Sequence, residues 1–309
     1  MIKILVTGGA GHVGSCLVDG LLKDSNHFVV VVDNLSTGDI SKVNTQSNNC
    51  KFIKCDVNDY RDIAPVMLSY KFDYVFHYAA VVGVKRTTDN PVSVLKDIVG
   101  IENILNLSKN TGVERVFFSS SSEVYGEPVE LPQNEFTTPL NSKLPYAIVK
   151  NVGEAFLKSY QKEYGLDYTI FRFFNTYGPK ASTDFVVTKF IDLALRGKDI
   201  TIYGDGSQTR TFCYSDDNVD ACIKAFKNNE VVNDVINIGN EVEITVLELA
   251  KTIIKVTNSS SNIVHLPPLA EGDMTRRQPD ISKMKKLLGR ELLSLEEGIK
   301  KIVESGNFG

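Results

Sequence analysis

The sequence contains 309 residues, of which 42% are hydrophobic and 23% charged, and its net charge at pH 7 is −4. This composition indicates a globular protein of one large or two modest domains, and the lack of a basic tract argues against nucleic acid as a partner. Five cysteines without a CxxC pair, four histidines without ligand spacing and no long apolar run lead us to expect a cytoplasmic protein with reduced thiols, no metal site and no membrane association.

Short β-branched runs alternate with helical patterns through the first half of the chain. The predicted strands are Ile2–Val6, Phe28–Val32, Lys51–Lys54, Tyr74–His77, Val116–Ser119 and Tyr168–Phe173. The predicted helices lie near 12–23, 60–69, 91–110 and 146–164. Nearly continuous hydrophobic strands that alternate with helices are typical of a parallel sheet buried on both faces. The pattern therefore predicts an α/β fold with a doubly wound parallel sheet of the Rossmann type.

The pattern changes after Gly178-Pro179. Predicted helices follow near 184–197, 216–228, 245–257 and 281–288, with short strands near 201–203 and 235–238. We infer a smaller, interleaved C-terminal domain that closes over the carboxyl ends of the sheet. The expected division is 1–178, to which part of 214–240 returns, and 179–309, which mainly forms the substrate domain.

A glycine-rich loop joins the first predicted strand to the first helix. Gly8, Gly11 and Gly14 fit the pattern G-x-x-G-x-x-G, in which the backbone approaches a pyrophosphate at a helix N-terminus. Asp33 ends the second strand about 20 residues later, where a carboxylate accepts hydrogen bonds from a ribose hydroxyl. Asn34 follows instead of an arginine that would bind a 2′-phosphate, which favours NAD over NADP. The alternative is that Asp33 only caps a turn or helix.

Tyr146 and Lys150 are four residues apart in a predicted helix, so they lie on one face of it. An ammonium group beside a phenol favours the phenolate and is expected to lower the pKa of Tyr146. Such a tyrosine can take a proton from an alcohol while hydride leaves for a nicotinamide. The alternative is a surface tyrosine and a solvated lysine, but the glycine loop favours the functional interpretation.

The run Ser119–Gly126, Ser-Ser-Ser-Ser-Glu-Val-Tyr-Gly, adds to these motifs. Together they make the chain resemble the extended short-chain dehydrogenase/reductase family, specifically its nucleotide-sugar epimerases, dehydratases and decarboxylases. The resemblance covers essentially the whole length. Further similar segments are Asp56-Val57, His77–Ala80, Arg172–Pro179 and Tyr203–Arg210.

The resemblance implies a first chemical step that the family shares. Tyr146 would take the proton of the sugar's 4-hydroxyl, Ser121 would share that proton, and hydride would pass from carbon 4 to NAD. Lys150 would hold the nicotinamide ribose. The cofactor-binding residues that the resemblance implies are Gly8, Gly11, His12, Val13, Gly14, Asp33, Asn34, Asp56, Val57, Ala79, Ala80, Tyr146, Lys150 and Phe173.

The resemblance also implies a substrate site and a homodimer. Asn175 and Arg210 would bind the sugar diphosphate, and Thr201 to Tyr203 would flank the nucleobase. Arg210 suits this role because a planar guanidinium donates two parallel hydrogen bonds to phosphate oxygens. The alternative is that Arg210 forms only a surface ion pair with Asp205. Arg276 or Arg277 would replace the phosphate clamp that many epimerases carry where this chain has Ala270. The dimer would use helices near 91–110 and 146–164, with an apolar face of Leu95, Ile98, Ile101, Ile104, Leu105, Phe156 and Tyr160.

Glu123 bears on the fate of the 4-keto sugar after the first step. Simple 4-epimerases usually have a small residue or threonine there, whereas the string Ser-Glu-Val-Tyr-Gly is similar to uronate decarboxylases and to some 4,6-dehydratases. A carboxylate near carbon 5 of a 4-keto sugar can remove the proton next to the carbonyl, or position a 6-carboxylate for loss. The alternative is that Glu123 only accepts backbone hydrogen bonds.

Features elsewhere in the chain count both for and against the decarboxylase interpretation. The segment Arg277–Ile281, Arg-Gln-Pro-Asp-Ile, is similar to that group. The loop Val81–Arg86 lacks the group's proline-rich pattern, and Asp97 stands where many relatives have asparagine.

The leading interpretation is an NAD-dependent enzyme that oxidises carbon 4 of a nucleoside-diphosphate sugar, with the 4-keto sugar as product or intermediate. The alternatives are a UDP-glucuronate decarboxylase, and a 4-epimerase or 4,6-dehydratase. A catalytically silent NAD-sensing module is a further alternative, against which intact Tyr146, Lys150 and Ser121 argue. The sequence leaves the nucleobase and the sugar open.

Overall fold

The computed structural model of the protein describes residues 1–267 and 276–306. Its strands, in chain order, are β1 Ile2–Thr7, β2 His27–Asp33, β3 Cys50–Lys54, β4 Tyr74–His77, β5 Arg115–Ser121, β6 Asp167–Phe173, β7 Thr176–Tyr177, β8 Ile200–Tyr203, β9 Thr209–Thr211, β10 Cys213–Tyr214, β11 Asp234–Ile238, β12 Glu243–Thr245 and β13 Ile263–Leu266.

The helices are α1 His12–Leu21, α2 Tyr60–Tyr70, α3 Val84–Asp89, α4 Pro91–Leu95, α5 Asp97–Thr111, α6 Pro145–Tyr164, α7 Val186–Leu195, α8 Ser215–Lys227, α9 Val246–Thr257, α10 Ser282–Leu288 and α11 Leu295–Ser305, with short 3-10 turns at Ile40–Lys42 and Ser122–Tyr125. Within the described part of the chain, no helix is both long and apolar enough to cross a membrane.

The chain folds as two compact units. The first consists of residues 1–126, 140–173 and 222–236, and the second of 127–139, 174–221 and 237–309. The observed and expected boundaries differ most at 127–139. That segment belongs with the second unit because the Gln133 amide donates to Gln278 O over 2.7 Å and the Asp280 amide donates to Gln133 O over 2.8 Å. The assignment of a cofactor role and a substrate role to the units stays a prediction.

The first unit is built around a seven-stranded sheet in the order β11-β6-β5-β4-β1-β2-β3, which confirms the doubly wound fold. The pairings from β3 through β6 are all parallel. Because β1 lies between β2 and β4, the strand order reverses there, and in such sheets ligands bind outside the carboxyl ends of the strands at this point. Buried side chains such as Leu5, Val30 and Phe118 fill the core beside the sheet.

The second unit has short two-stranded pairs, β10 with β7, β12 with β9 and β13 with β8. Its core is formed by apolar residues of α7, α9 and α11 packed with those of β8, as Ile191, Ile253, Ile299 and Ile202 illustrate. The strand β13 and the helix α11 were not predicted from the sequence.

The single helix predicted near 91–110 is two helices in the structure. The helix α4 ends at Leu95 and α5 begins at Asp97, with Lys96 as the residue between them. The predicted helix 146–164 is confirmed as α6, which begins at Pro145 and ends at Tyr164. Proline suits this first helical position because its missing N–H would have no partner within the helix.

Candidate active site

The helix α6 carries Tyr146 and Lys150 on the same side. Lys150 is only 2% exposed, and its Nζ donates a hydrogen bond to Ser119 Oγ over 3.2 Å. The same ammonium lies 5.7 Å from the ring centre of Tyr146 and 5.0 Å from that of Phe118. The shared face predicted from the spacing is therefore present, and it holds the lysine against the end of β5 and not in solvent.

The end of β5 brings two more of the predicted residues to this face. Ser121 is the last residue of the strand, and its Oγ accepts a hydrogen bond from the Glu123 amide over 3.2 Å. The Ser121 hydroxyl also lies near the phenol of Tyr146 and acts to lower the pKa of that phenol. One serine hydroxyl thus joins the turn that bears Glu123 to the helix that bears Tyr146.

Burial dominates the electrostatics of this site. It raises the pKa of Tyr146 above its ordinary value; the nearby Ser121 hydroxyl opposes this, and the charges of Glu123 and Asp97 raise the pKa further. The expectation that Lys150 lowers the pKa of Tyr146 is therefore wrong, because this pKa is raised in the structure. Burial also lowers the pKa of Lys150 to about 8, against the attraction of Asp97.

Asp97 is a carboxylate whose role the sequence did not reveal. It is only 8% exposed, and its oxygens accept hydrogen bonds from the Val81 amide over 2.7 Å and from Asn58 Nδ2 over 3.1 Å. Burial raises the pKa of Asp97, while these two hydrogen bonds and the charge of Lys150 lower it. The sign in the sequence was that Asp97 stands where many relatives have asparagine. That difference alone does not show that Asp97 lies near Lys150.

The glycine loop folds closely against the end of β4. Gly8 has a φ of 67°, and a Cβ there would lie 2.6 Å from the Ala79 amide nitrogen. A Cβ on Gly14 would collide with the carbonyl oxygen of Gly8. Only glycine fits either position, so the loop leaves its backbone, without side chains, in front of α1. This is the cradle that a pyrophosphate needs.

Asp33 closes the loop from the end of β2. Its Oδ2 accepts a hydrogen bond from the Ala10 amide over 3.0 Å, and its Oδ1 accepts one from the Leu35 amide over 2.8 Å. The turn-capping role considered for Asp33 is therefore present. Each carboxylate oxygen can accept more than one hydrogen bond, so Asp33 is still able to accept from a ribose hydroxyl. Loop and acid together fit NAD.

The other predicted cofactor residues also belong to the first unit. Asn34 follows Asp33, and its Nδ2 donates to Asp56 Oδ2 over 3.3 Å. The ring of Phe173, at the end of β6, lies 5.5 Å from that of Tyr78. His12 and Val13 open α1, Val57 follows β3, and Ala79 and Ala80 follow β4.

The predicted substrate residues all belong to the second unit. In β8, Thr201 and Tyr203 flank the buried Ile202, so they share the face that is not in the core. Asn175 Nδ2 donates to Thr211 O over 3.2 Å. Arg210, in β9, donates from Nη1 to Thr209 O over 2.7 Å.

The two arginines proposed as a phosphate clamp differ in exposure. Arg276 is half exposed and donates from Nε and Nη2 to the two carboxylate oxygens of Glu243 over 2.7 and 2.6 Å. Its neighbour Arg277 is partly buried. Ala270, where many epimerases carry the phosphate clamp, lies outside the described residues.

Four buried residues behind the site form a network that sequence reasoning missed, namely Ser120, Tyr125, Glu154 and Arg172. The sequence contains part of the evidence for this network, because Glu154 follows Lys150 by four residues and so lies on the same face of the helix. In the described ranges, no group of three or more His, Cys, Asp or Glu side chains is placed to hold a metal ion.

Comparison with known proteins agrees with this geometry. A family model described as the NAD dependent epimerase/dehydratase family matches residues 4–239. A UDP-glucuronic acid decarboxylase of Arabidopsis thaliana is 37% identical over 96% of this chain and 87% of its own. The structure of a Thermotoga maritima UDP-glucose 4-epimerase with UDP-glucose is 36% identical, with a TM-score of 0.91 over 98% of each chain. A Thermus thermophilus UDP-glucose 4-epimerase, solved with NAD, is 28% identical, with a TM-score of 0.89 over 98% of both chains.

The family match covers the glycine loop, Asp33, Ser121, Tyr146 and Lys150. The chain is therefore an NAD-dependent enzyme and belongs to the NAD dependent epimerase/dehydratase family.

Proposed function

We propose that this enzyme oxidises carbon 4 of a nucleoside-diphosphate sugar with NAD and forms a 4-keto sugar as product or intermediate. The observation that carries the proposal is the position of the buried Lys150, whose Nζ donates to Ser119 Oγ and lies 5.7 Å from the ring centre of Tyr146, beside the end of the strand that carries Ser121. A hydroxyl pair beside an ammonium group is the arrangement that deprotonation of a secondary alcohol requires. The proposal is supported by relatives that act on UDP-linked sugars.

The chain's own residues supply the proton chemistry. The glycine loop and Asp33 would hold NAD, which would supply the acceptor for the hydride of carbon 4. Tyr146 accepts the proton of the 4-hydroxyl, and Ser121, whose hydroxyl acts to lower the pKa of the phenol, shares that proton. Because burial raises its pKa, the phenolate of Tyr146 is a strong base that has to be stabilised when it forms. Lys150, protonated at neutral pH, provides the nearby positive charge.

The residues of the second unit are proposed to bind the nucleoside diphosphate. Arg210, Arg276 and Asn175 offer nitrogen donors to phosphate oxygens, and a guanidinium does so in pairs. Thr201 and Tyr203 present one face of β8 to a nucleobase. Arg277 is the alternative to Arg276 as the phosphate clamp. In this assignment the first unit binds NAD and the second binds most of the substrate.

Glu123 favours a second step on the 4-keto sugar. Its negative charge raises the pKa of Tyr146, so its carboxylate lies near the proposed base. From there it can remove the proton at carbon 5 or orient a 6-carboxylate, which a 4-keto group makes labile. We therefore propose decarboxylation of a UDP-linked uronate as the more specific reaction, supported by the plant relative. Epimerisation, as in the Thermotoga maritima relative, and dehydration are the competing outcomes.

A panel of UDP-, GDP- and dTDP-sugars, with mass spectrometry of the products, tests this proposal. Loss of one carbon dioxide from a uronate indicates decarboxylation, loss of one water dehydration, loss of two hydrogens net oxidation, and an unchanged mass with altered stereochemistry epimerisation. Absence of all four changes across the panel would overturn the proposed function.

We also propose a homodimer formed through α4, α5 and α6, which pack against one another. Several residues of the predicted face are buried in the protein's own core, namely Ile101, Ile104, Leu105 and Tyr160. The apolar side chains that are exposed on these helices or next to them are Val92, Leu95, Val99, Leu144 and Ile148. The cytoplasmic location stays a prediction from the sequence.

A further inference from the structure

A buried ion pair lies behind the proposed proton-transfer residues. Arg172 donates from Nε to Glu154 Oε1 over 2.9 Å and from Nη2 to Glu154 Oε2 over 2.7 Å. Both side chains are 2% exposed. Burial alone would lower the pKa of Arg172, but its hydrogen bonds to Glu154 and the charge of that residue raise it, so the guanidinium stays charged. The two groups meet in the paired, planar geometry that gives the strongest contact between these residue types.

Two hydroxyl groups extend the pair toward β5 and the turn after that strand. Ser120 Oγ donates to Glu154 Oε1 over 2.6 Å, and Arg172 Nη1 donates to the Tyr125 hydroxyl over 2.9 Å. Ser120 and Tyr125 are both at most 2% exposed. All four members of this network, which we call the Arg172 network, are therefore closed off from water.

The Arg172 network is attached to each segment that carries a proposed catalytic residue. Ser120 directly precedes Ser121, and Tyr125 ends the turn that contains Glu123. Glu154 lies on α6, one helical turn after Lys150. Arg172 is in β6, next to β5 in the sheet, where its register partner is Ser120. One guanidinium thus fixes the β5 end, the turn and the helix relative to one another.

The energetics of buried charge explain why such a connection would be rigid. Removing one partner of a buried ion pair leaves an uncompensated charge, so displacements that break these contacts are strongly resisted. A hydrogen bond to a buried ion is also stronger than the same bond in water. Ser120 and the α6 backbone are consequently held in one arrangement.

We propose that Arg172 and Glu154 are positioning residues for the proposed reaction, holding the end of β5, which carries Ser121, against the helix that carries Tyr146 and Lys150. This inference rests on the proposed function for its kinetic part, but its geometric part stands on the structure alone. Neither residue would touch the substrate. They would act by fixing the separation between the strand end and the helix, on which proton sharing depends.

The first test compares Arg172→Lys with a matched control, Arg115→Lys. Arg115 is also buried, at 3% exposed, and begins β5, where its guanidinium donates to the carbonyl oxygens of Glu230 and Phe226 over 3.3 Å. We expect both variants to unfold at lower temperature than the wild type. In Arg172→Lys, kcat should also fall about 100-fold with KM little changed, since a misplacement of about 1 Å can have that effect. In Arg115→Lys, kcat should be within about twofold of wild type when measured well below the unfolding temperature.

Crystal structures of the wild type and both variants give a readout that needs no substrate. We expect the distance between Ser121 Oγ and the Tyr146 hydroxyl to increase in Arg172→Lys and to be unchanged in Arg115→Lys. If this distance and kcat are both preserved in Arg172→Lys, the network only stabilises the fold and the proposal is overturned. If the distance increases in the variant but wild-type protein turns over no sugar of the panel, the proposed function fails and the positioning role stands.

Tyr125→Phe and Glu154→Gln serve if Arg172→Lys does not fold. Tyr125→Phe removes one acceptor from Arg172 and keeps the ring, so the fold should survive. Glu154→Gln keeps the shape and an acceptor for Ser120, but loses the charge. We expect kcat to fall in both, more in Glu154→Gln, with NAD content unchanged. Wild-type kcat in both variants would equally overturn the proposal.

Discussion

The amide of Glu123 donates a hydrogen bond over 3.2 Å to the Ser121 hydroxyl, the group that acts to lower the pKa of the Tyr146 phenol. The turn after β5 therefore controls two things at once: the orientation of the serine that is proposed to share the proton and the position of the carboxylate. A change at Glu123 that alters the backbone would disturb the first step, whereas a change confined to its side chain would act on that step only through the charge that raises the pKa of Tyr146, and otherwise on the later reaction of the 4-keto sugar. This separation makes isosteric variants informative.

The variant Tyr146→Phe tests whether Tyr146 is the base that takes the proton of the 4-hydroxyl. The ring keeps its packing and loses only the hydroxyl, so we expect kcat to fall roughly 100- to 10,000-fold while NAD binding and thermal stability are retained. Tyr164→Phe, at the exposed end of the same helix, is the matched control and should have normal kcat. Steady-state turnover and NAD content per protein are the measurements. Turnover near the wild-type rate in Tyr146→Phe would remove this residue from catalysis.

Glu123→Gln tests whether a second step occurs after oxidation. Glutamine keeps the shape and most hydrogen bonds but cannot take up a proton as a base. If Glu123 acts at carbon 5 or on a 6-carboxylate, we expect NADH and a 4-keto sugar to accumulate without the final product. The measurements are stopped-flow absorbance of NADH and product mass.

The exposed Glu127→Gln is the control for Glu123→Gln and should show normal product formation. An unchanged product at a near-normal rate in Glu123→Gln would leave Glu123 with a structural role only. That result would weaken the decarboxylase and dehydratase interpretations together.

His77 is expected to make the fold sensitive to acid. It is 3% exposed, and its Nδ1 lies 2.8 Å from Thr7 Oγ1. Burial, with a smaller contribution from the charge of Lys150, lowers its pKa from 6.5 to about 3. Between these values the unfolded chain binds a proton that the folded protein does not. The contribution of His77 to stability is thus fully present above pH 6.5 and is lost as the pH falls toward the folded pKa.

His77→Asn isolates this contribution. As the pH falls below 6.5, the free energy of unfolding of the wild type should decrease faster than that of the variant, by about 1.4 kcal/mol per pH unit. Urea unfolding at a series of pH values measures both. A difference between the two proteins that does not change with pH would show that His77 is not held neutral in the fold.

The proposed dimer predicts that a charge on the α4–α6 face prevents association. Leu95→Glu and Ile148→Glu each place a carboxylate among exposed apolar residues, so neither should destabilise the monomer strongly. Light scattering should give a dimer for the wild type and a monomer for the variants. Leu68→Glu, on the exposed side of α2, is the control and should remain dimeric. A monomeric wild type at micromolar concentration would contradict the dimer.

Local patterns in the sequence were sufficient for the main features of fold and site. The four-residue spacing of Tyr146 and Lys150 predicts a shared helix face, and the strand that ends at Asp33 is predicted by a continuous β-branched run. Contacts between distant segments were not accessible. Glu243 and Arg276 are far apart in sequence, and the burial that raises the pKa of Tyr146 depends on the complete fold.

Helical periodicity has a similar limit at the proposed dimer face. It places Leu95, Ile98 and Ile101 on apolar positions, but it does not say which of them face the sheet. In the structure Ile101 belongs to the core, whereas Leu95 is exposed. The helix α11 was identifiable in principle, because Ser294 and Glu297 have the capping-box spacing that forms in the structure.

Hydride transfer from carbon 4 of the sugar to bound NAD is the central step of the proposed reaction. The most direct test uses a nucleoside-diphosphate sugar deuterated at carbon 4, taken from the panel as a sugar that the enzyme converts. A single turnover is quenched rapidly and the cofactor is examined by mass spectrometry. We predict deuterated NADH from this sugar and undeuterated NADH from the same sugar labelled at carbon 5. Conversion of the sugar with no deuterium passing through the cofactor would contradict hydride transfer from carbon 4.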